Sequence, residues 1–144
     1  MSETEGKPPV WFWVIAGGSL LWNLFGVVSY IGLVTISPEK LAEMPAAERD
    51  LVEKIPVWAT SAFAIAVFSA VGGSLMLLLK KSLAQPLFVV SLVAMIVQFA
   101  SWLFVSGALS VHGAGSLLMP AMVIGVAVLL IWFTASAKSK GWIS

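Results

Sequence analysis

The sequence predicts an all-α membrane protein: a four-transmembrane-helix antiparallel bundle, with a short extracytoplasmic amphipathic helical segment between helices one and two. Composition is the first reason. Of the 144 residues 60% are hydrophobic and 10% charged, and the mean hydropathy is +1.01; a water-soluble fold of this size could not hide so much apolar surface. Charge placement is the second. Residues 10–35, 57–79, 83–106 and 116–137 hold no Asp, Glu, Lys or Arg, and each run reaches the roughly 20 apolar residues needed to cross a bilayer. The third is where the cations fall. Lys7, Lys80, Lys81, Lys138 and Lys140 all land on one side of a four-pass layout, which the positive-inside rule makes the cytoplasmic side, with N-terminus and C-terminus both in.

Helix one is expected over 10–35. Pro8 and Pro9 mark its start, because proline suits a first helical turn, and Trp11 and Trp13 follow at headgroup depth. A signal peptide is the competing reading, but the stretch is long, its lead-in carries Glu3 and Glu5 against Lys7, and no persuasive A-x-A site follows. The charged segment 37–56 comes next. Ser37 before Pro38 reads as an N-cap with a first-turn proline, Pro45 opens a second turn, and Leu51, Val52 and Ile55 recur at helical spacing. This segment is expected to lie on the membrane surface or to cap the bundle. Helix two is expected over 57–79 and helix three over 84–107; the turn between them is so short that they must be antiparallel neighbours. Helix four is expected over 117–137, after a small-residue loop containing His112, with Trp142 resting back on the interface.

Lipid is as apolar as leucine, so helices already inserted must associate through small residues and interhelical hydrogen bonds. Helix two carries Ala62, Ala66, Ala70 and Ser74 at four-residue steps, with Gly73 beside them. Helix three presents Ser91, Ala94, Gln98, Ser101, Val105 and Ala108 in a heptad rhythm. Helix one offers Ser19, Asn23, Gly26 and Tyr30, and helix four Ala121 and Gly125. Facing seams of this kind account for the small residues without any ligand.

Chemistry is sparse. No Asp, Glu, Lys, Arg or His falls inside a span, where proton coupling or acid/base catalysis would normally need an ionisable group. There is no cysteine, the single histidine has no companions with which to hold haem or zinc, and the serines lack a base and a G-x-S-x-G turn. No catalytic residue, metal site or cofactor is expected, and the chain is read as no enzyme. A net charge of +1 with no basic face excludes nucleic acid. Met95, Met119 and Met122 read as packing residues. What remains is the polar and aromatic set Trp22, Asn23, Tyr30, Gln98 and Trp102, able to bind a polyol through amide hydrogen bonds and indole stacking.

Several runs carry a resemblance: P-P-V-W-F-W from Pro8 to Trp13, L-W-N-L-F-G from Leu21 to Gly26, I-P-V-W from Ile55 to Trp58, F-A-I-A-V-F from Phe63 to Phe68, and K-G-W-I-S from Lys140 to Ser144. Together they resemble, nearly end to end, a family of small bacterial four-pass membrane proteins of uncharacterised function, commonly labelled sugar transporters. The resemblance implies a multi-pass protein of a bacterial inner membrane. Three functions are open. The first is a structural or accessory module that binds membrane lipids and either itself, as a homo-oligomer, or another membrane protein. The second is an oligomeric transporter or facilitator of a small sugar-like solute, and the third is binding of a lipid or quinone between helices.

The topology has a direct test. Single cysteines replacing Lys80 and Lys138 are expected to react with an impermeant maleimide from the same side of sealed vesicles; labelling from opposite sides would contradict four crossings.

Overall fold

A computed structural model describes residues 7–144; of the polar lead-in, Glu3 and Glu5 lie outside the described residues. The described chain is helical throughout. The long helices are α1 (Val10–Val34), α4 (Val57–Leu78), α5 (Ala84–Ala100) and α7 (Leu118–Ser139), while α2 (Pro38–Glu43), α3 (Ala46–Glu53) and α6 (Ala108–His112) are short connecting pieces. A π-turn, Ser101–Val105, prolongs α5, and a 3₁₀ turn, Gly113–Leu117, leads into α7. Four helical stretches, Val10–Val34, Val57–Leu78, Ala84–Val105 and Gly113–Ser139, are long and apolar enough to cross a membrane.

Local chemistry sets the boundaries. Extended Pro9 and Pro56 precede α1 and α4. Ser37 caps α2, its Oγ accepting from the Lys40 N–H at 3.1 Å, which satisfies one of the donors a helix start leaves free. α4 ends in a Schellman pair: Lys81 N–H donates to Met76 O at 2.8 Å and Lys80 N–H to Leu77 O at 3.0 Å, with Lys80 at φ 59°. α7 ends the same way. Trp142 N–H donates to Ala137 O at 2.9 Å, Gly141 N–H donates to Lys138 O at 3.1 Å, and Gly141 supplies the positive φ of 78°.

That second cap turns the tail inward. Ser144 N–H donates to Lys80 O, Ser82 N–H donates to Ser144 O, and Trp142 and Ile143 are buried with Phe12, Leu77, Phe88 and Phe133. Trp142 therefore plugs the lysine-bearing end of the bundle instead of resting on the interface. Its ring packs against Trp11 and Phe12 and carries the Lys140 ammonium 4.8 Å from its centroid. At the opposite end Leu51 of α3, fully buried, packs with Leu103 and Ala108 beside Trp102 and Leu109. The charged segment thus caps the bundle.

Helix α4 is the spine, packed on α5 and on α1, and α5 holds α7; α1 and α7 touch far less. Ala62, Ala66, Ala70, Gly73 and Ser74 are all buried in α4. A Cβ on Gly73 would stand 2.8 Å from the Phe88 ring of α5, and one on Gly26 3.2 Å from Val67 Cγ1. These are the close approaches that hold helices together in lipid.

Three expected seam positions fail. The π-turn, closed by Ser106 N–H to Ser101 O at 2.8 Å, adds a residue to the α5 register, so Val105 turns outward and Ser106 is buried in its place. Gly125 is exposed with no atom within 4 Å of its would-be Cβ, and neighbouring Ala121 is exposed too. α7 instead buries Pro120, Ala127, Leu130, Phe133, Thr134 and Ala137, because it leans along α5 and meets α1 mainly through the aromatic rings at the lysine-bearing end.

Gly73→Ala is expected to lower the thermal midpoint of the detergent-solubilised protein, by an overpacking cost of about 1–3 kcal/mol. Pairing it with Phe88→Leu should recover much of the loss; equal midpoints for Gly73→Ala and the parent would refute the contact.

Candidate membrane-embedded cleft

Asn23 sits mid-way along α1, 9% exposed, within reach of α4. Its Nδ2 donates to Ser74 Oγ at 2.8 Å and to Ala70 O at 3.2 Å. Ser19 Oγ lies 3.0 Å from Ser74 Oγ and donates to Ala16 O at 2.8 Å. The ends of this chain fix its direction. A backbone carbonyl can only accept, so Ser19 spends its proton on Ala16 O, Ser74 must donate to Ser19, and Ser74 must accept from Asn23. Both amide protons of Asn23 are therefore committed. Among the described residues nothing donates to its Oδ1, and it is not one of the sealed, unpaired side-chain atoms.

What Oδ1 can reach follows from the parting of α1 and α7. Above their aromatic contact the two helices leave a lateral cleft of about 270 Å³, walled by Trp22, Asn23, Phe25, Gly26 and Ser29 of α1 and by Met119 and Val123 of α7. Ala66, Val67, Ala70 and Met95 of α4 and α5 form its floor. A second lobe of about 220 Å³ shares much of this lining and extends to Phe63, Gln98 and Phe99. The surface is overwhelmingly apolar, with Asn23 towards one end and Gln98 at the other. Ser29 adds a hydroxyl whose proton goes to Phe25 O of its own helix.

The five expected polar and aromatic residues are thus divided. Trp22 and Asn23 line the first lobe and Gln98 the second. Trp102 sits beyond Gln98 in a small pocket with Leu33, Ile55, Ala59 and Ser101 under the α3 cap. Tyr30 stands apart, edge-on to Phe63 and Phe68 with ring centroids 5.5 and 5.9 Å away. Among the expected packing residues, Ser91 donates across the α4–α5 seam to Ala66 O at 2.7 Å. Ser101 Oγ is buried without a partner, as is Ser106 Oγ beside it.

Sequence reasoning missed Met119, Val123, Ser29 and Val67 as cleft residues, and no local signal marks them; they line a space only because α1 and α7 diverge. No group of three or more His, Cys, Asp or Glu capable of holding a metal occurs among the described residues. No protein-family model, curated protein or solved structure matches the chain.

Ser74→Ala removes two interhelical partners and is expected to cost about 1–2 kcal/mol at the ~0.6 kcal/mol typical of one such bond, with a maximum near 1.7. Ser29→Ala, whose bond stays within one helix, should cost far less. Unfolding titrations of the two variants check the difference, and equal losses would contradict the directed chain.

Proposed function

We propose that this multi-pass membrane protein binds a lipid-like amphiphile in the lateral cleft between α1 and α7, and presents or shelters that molecule without converting it. The cleft itself is the observation that carries the proposal. It opens sideways between two membrane-spanning helices, is walled almost entirely by apolar side chains, and ends at a polar group. Its size lies just below the usual 300–1,000 Å³ of small-molecule sites, and an acyl or isoprenoid tail suits its lining. A polyol is less well served. It would meet Val67, Phe25 and Met95 where it needs hydrogen bonds, and the Asn23 amide protons are already spent.

The groups on offer are amides and hydroxyls, none ionisable near neutral pH, which supports binding over catalysis. We place the protein in a bacterial inner membrane with the Lys80, Lys81, Lys138 and Lys140 end in the cytoplasm, on the positive-inside rule.

Self-association is the second reading, supported by the unpartnered Ala121 and Gly125 at four-residue spacing on α7, a pattern that lets helices approach closely. It would make the chain an accessory module.

Native mass spectrometry of gently extracted protein separates the two. One lipid-like molecule retained per chain, and lost in Met119→Trp where a larger ring fills the cleft mouth, is expected. A bare chain of constant oligomer mass, unchanged by Met119→Trp, would favour the accessory module instead.

A further inference from the structure

We infer that the cleft selects an amphiphile with a hydroxyl head, one that donates a hydrogen bond to Asn23 Oδ1; this rests on the cleft being a binding site for amphiphiles. The argument is one of direction. Had Asn23 a free amide proton, an ester, a ketone or a quinone carbonyl would serve as partner. The protons are not free. One goes to Ala70 O, which can only accept, and the other to Ser74 Oγ, whose own proton is forced onward to Ser19 and whose neighbour's is forced onward to Ala16 O. Reversing the amide would set Oδ1 against the Ala70 carbonyl, acceptor to acceptor, so α4 fixes which way the side chain points. The group that Asn23 leaves for a ligand is a carbonyl oxygen in a side chain nine-tenths buried, on the wall of an apolar cleft.

The Ser29 hydroxyl on the α1 wall points to the same chemistry. Ser29, which also lines the cleft, gives its Oγ proton to Phe25 O at 3.0 Å and in that rotamer has only lone pairs to offer a ligand. Two acceptors on one wall favour a donor: the free hydroxyl of a diacylglycerol, a long-chain alcohol, a polyprenol or a quinol. At the Asn23 end of the cleft they disfavour the fully esterified or oxidised counterpart, whose acceptors find donors only in the Trp22 indole and, at the far end, the Gln98 amide. An unpaired acceptor in hydrocarbon is costly, and a head that can only accept would leave it unpaired.

The test sets an alcohol against its own ester. The full chain is placed in nanodiscs of saturated phosphatidylcholine, whose headgroup has no hydrogen-bond donor. These are titrated with 1,2-dioctanoylglycerol or with its 3-acetyl ester, and occupancy is read by native mass spectrometry. The alcohol is expected to bind about fivefold or more tightly, the worth of one hydrogen bond of ~1 kcal/mol. The preference should vanish in Asn23→Leu. If that variant does not fold, the alcohol-to-ester ratio in the parent protein decides the matter by itself. Equal binding of the two, with both lost in Met119→Trp, would overturn hydroxyl selection and leave the cleft a binding site. Failure of both to bind in the parent protein, or binding untouched by Met119→Trp, would overturn the cleft and the selection together.

Discussion

The interhelical hydrogen bonds made along α4 are the constraint on which the rest of the molecule depends. In hydrocarbon, apolar contact alone gives helices little reason to prefer one another to lipid. Here α4 meets α1 through Ser74 with Asn23 and Ser19, and meets α5 through Ala66 O with Ser91. Both seams need backbones that come close, which is what Ala62, Ala66, Ala70 and Gly73 permit on a helix otherwise built of larger apolar side chains. Phe88 seated over Gly73 shows how near the limit that approach lies.

A spine with two satisfied faces has none left for a third helix. α7 therefore attaches through α5, and reaches α1 through rings at the lysine-bearing end, where Trp11, Phe12, Phe133 and Trp142 stack. The tail closes that end by hydrogen bonds to the α4–α5 turn. Beyond the stacked rings nothing draws α1 and α7 together, and the cleft follows. The cleft and the packing are thus one arrangement: the bonds that pin α1 to α4 consume the amide protons of Asn23 and leave its carbonyl oxygen without a donor among the described residues.

The far end is built differently. The π-turn places Ser101 and Ser106 in the interior without partners and lets α3 settle on Leu103 through Leu51. π-turns recur where a helix gives up regularity for function, and this one lies beside Gln98, at the outer lobe of the cleft.

How much of this was legible beforehand depended on how local the cause was. Runs without charge, Pro9 and Pro56 before their helices, Ser37 as a cap and the four-residue ridge of α4 are short-range facts. Desolvation, proline geometry and helical periodicity act within a few residues, so composition and spacing were enough to determine four apolar helices and the small-residue face of the second. The inserted residue that exchanges Val105 for Ser106 follows no local rule. Gly125 has the right spacing for a seam but no neighbour to form one, and Trp142 is buried only because Gly141 reverses the chain beneath Trp11. Asn23 stood out as a polar group at membrane depth, yet which of its atoms remained available depended on Ser74, 51 residues away. The sequence by itself determined which segments belong in hydrocarbon, because the cost of burying charge is paid residue by residue. Only the tertiary structure decided which helices touch, where they part and which hydrogen-bonding groups are left over, because those depend on partners that no local pattern specifies.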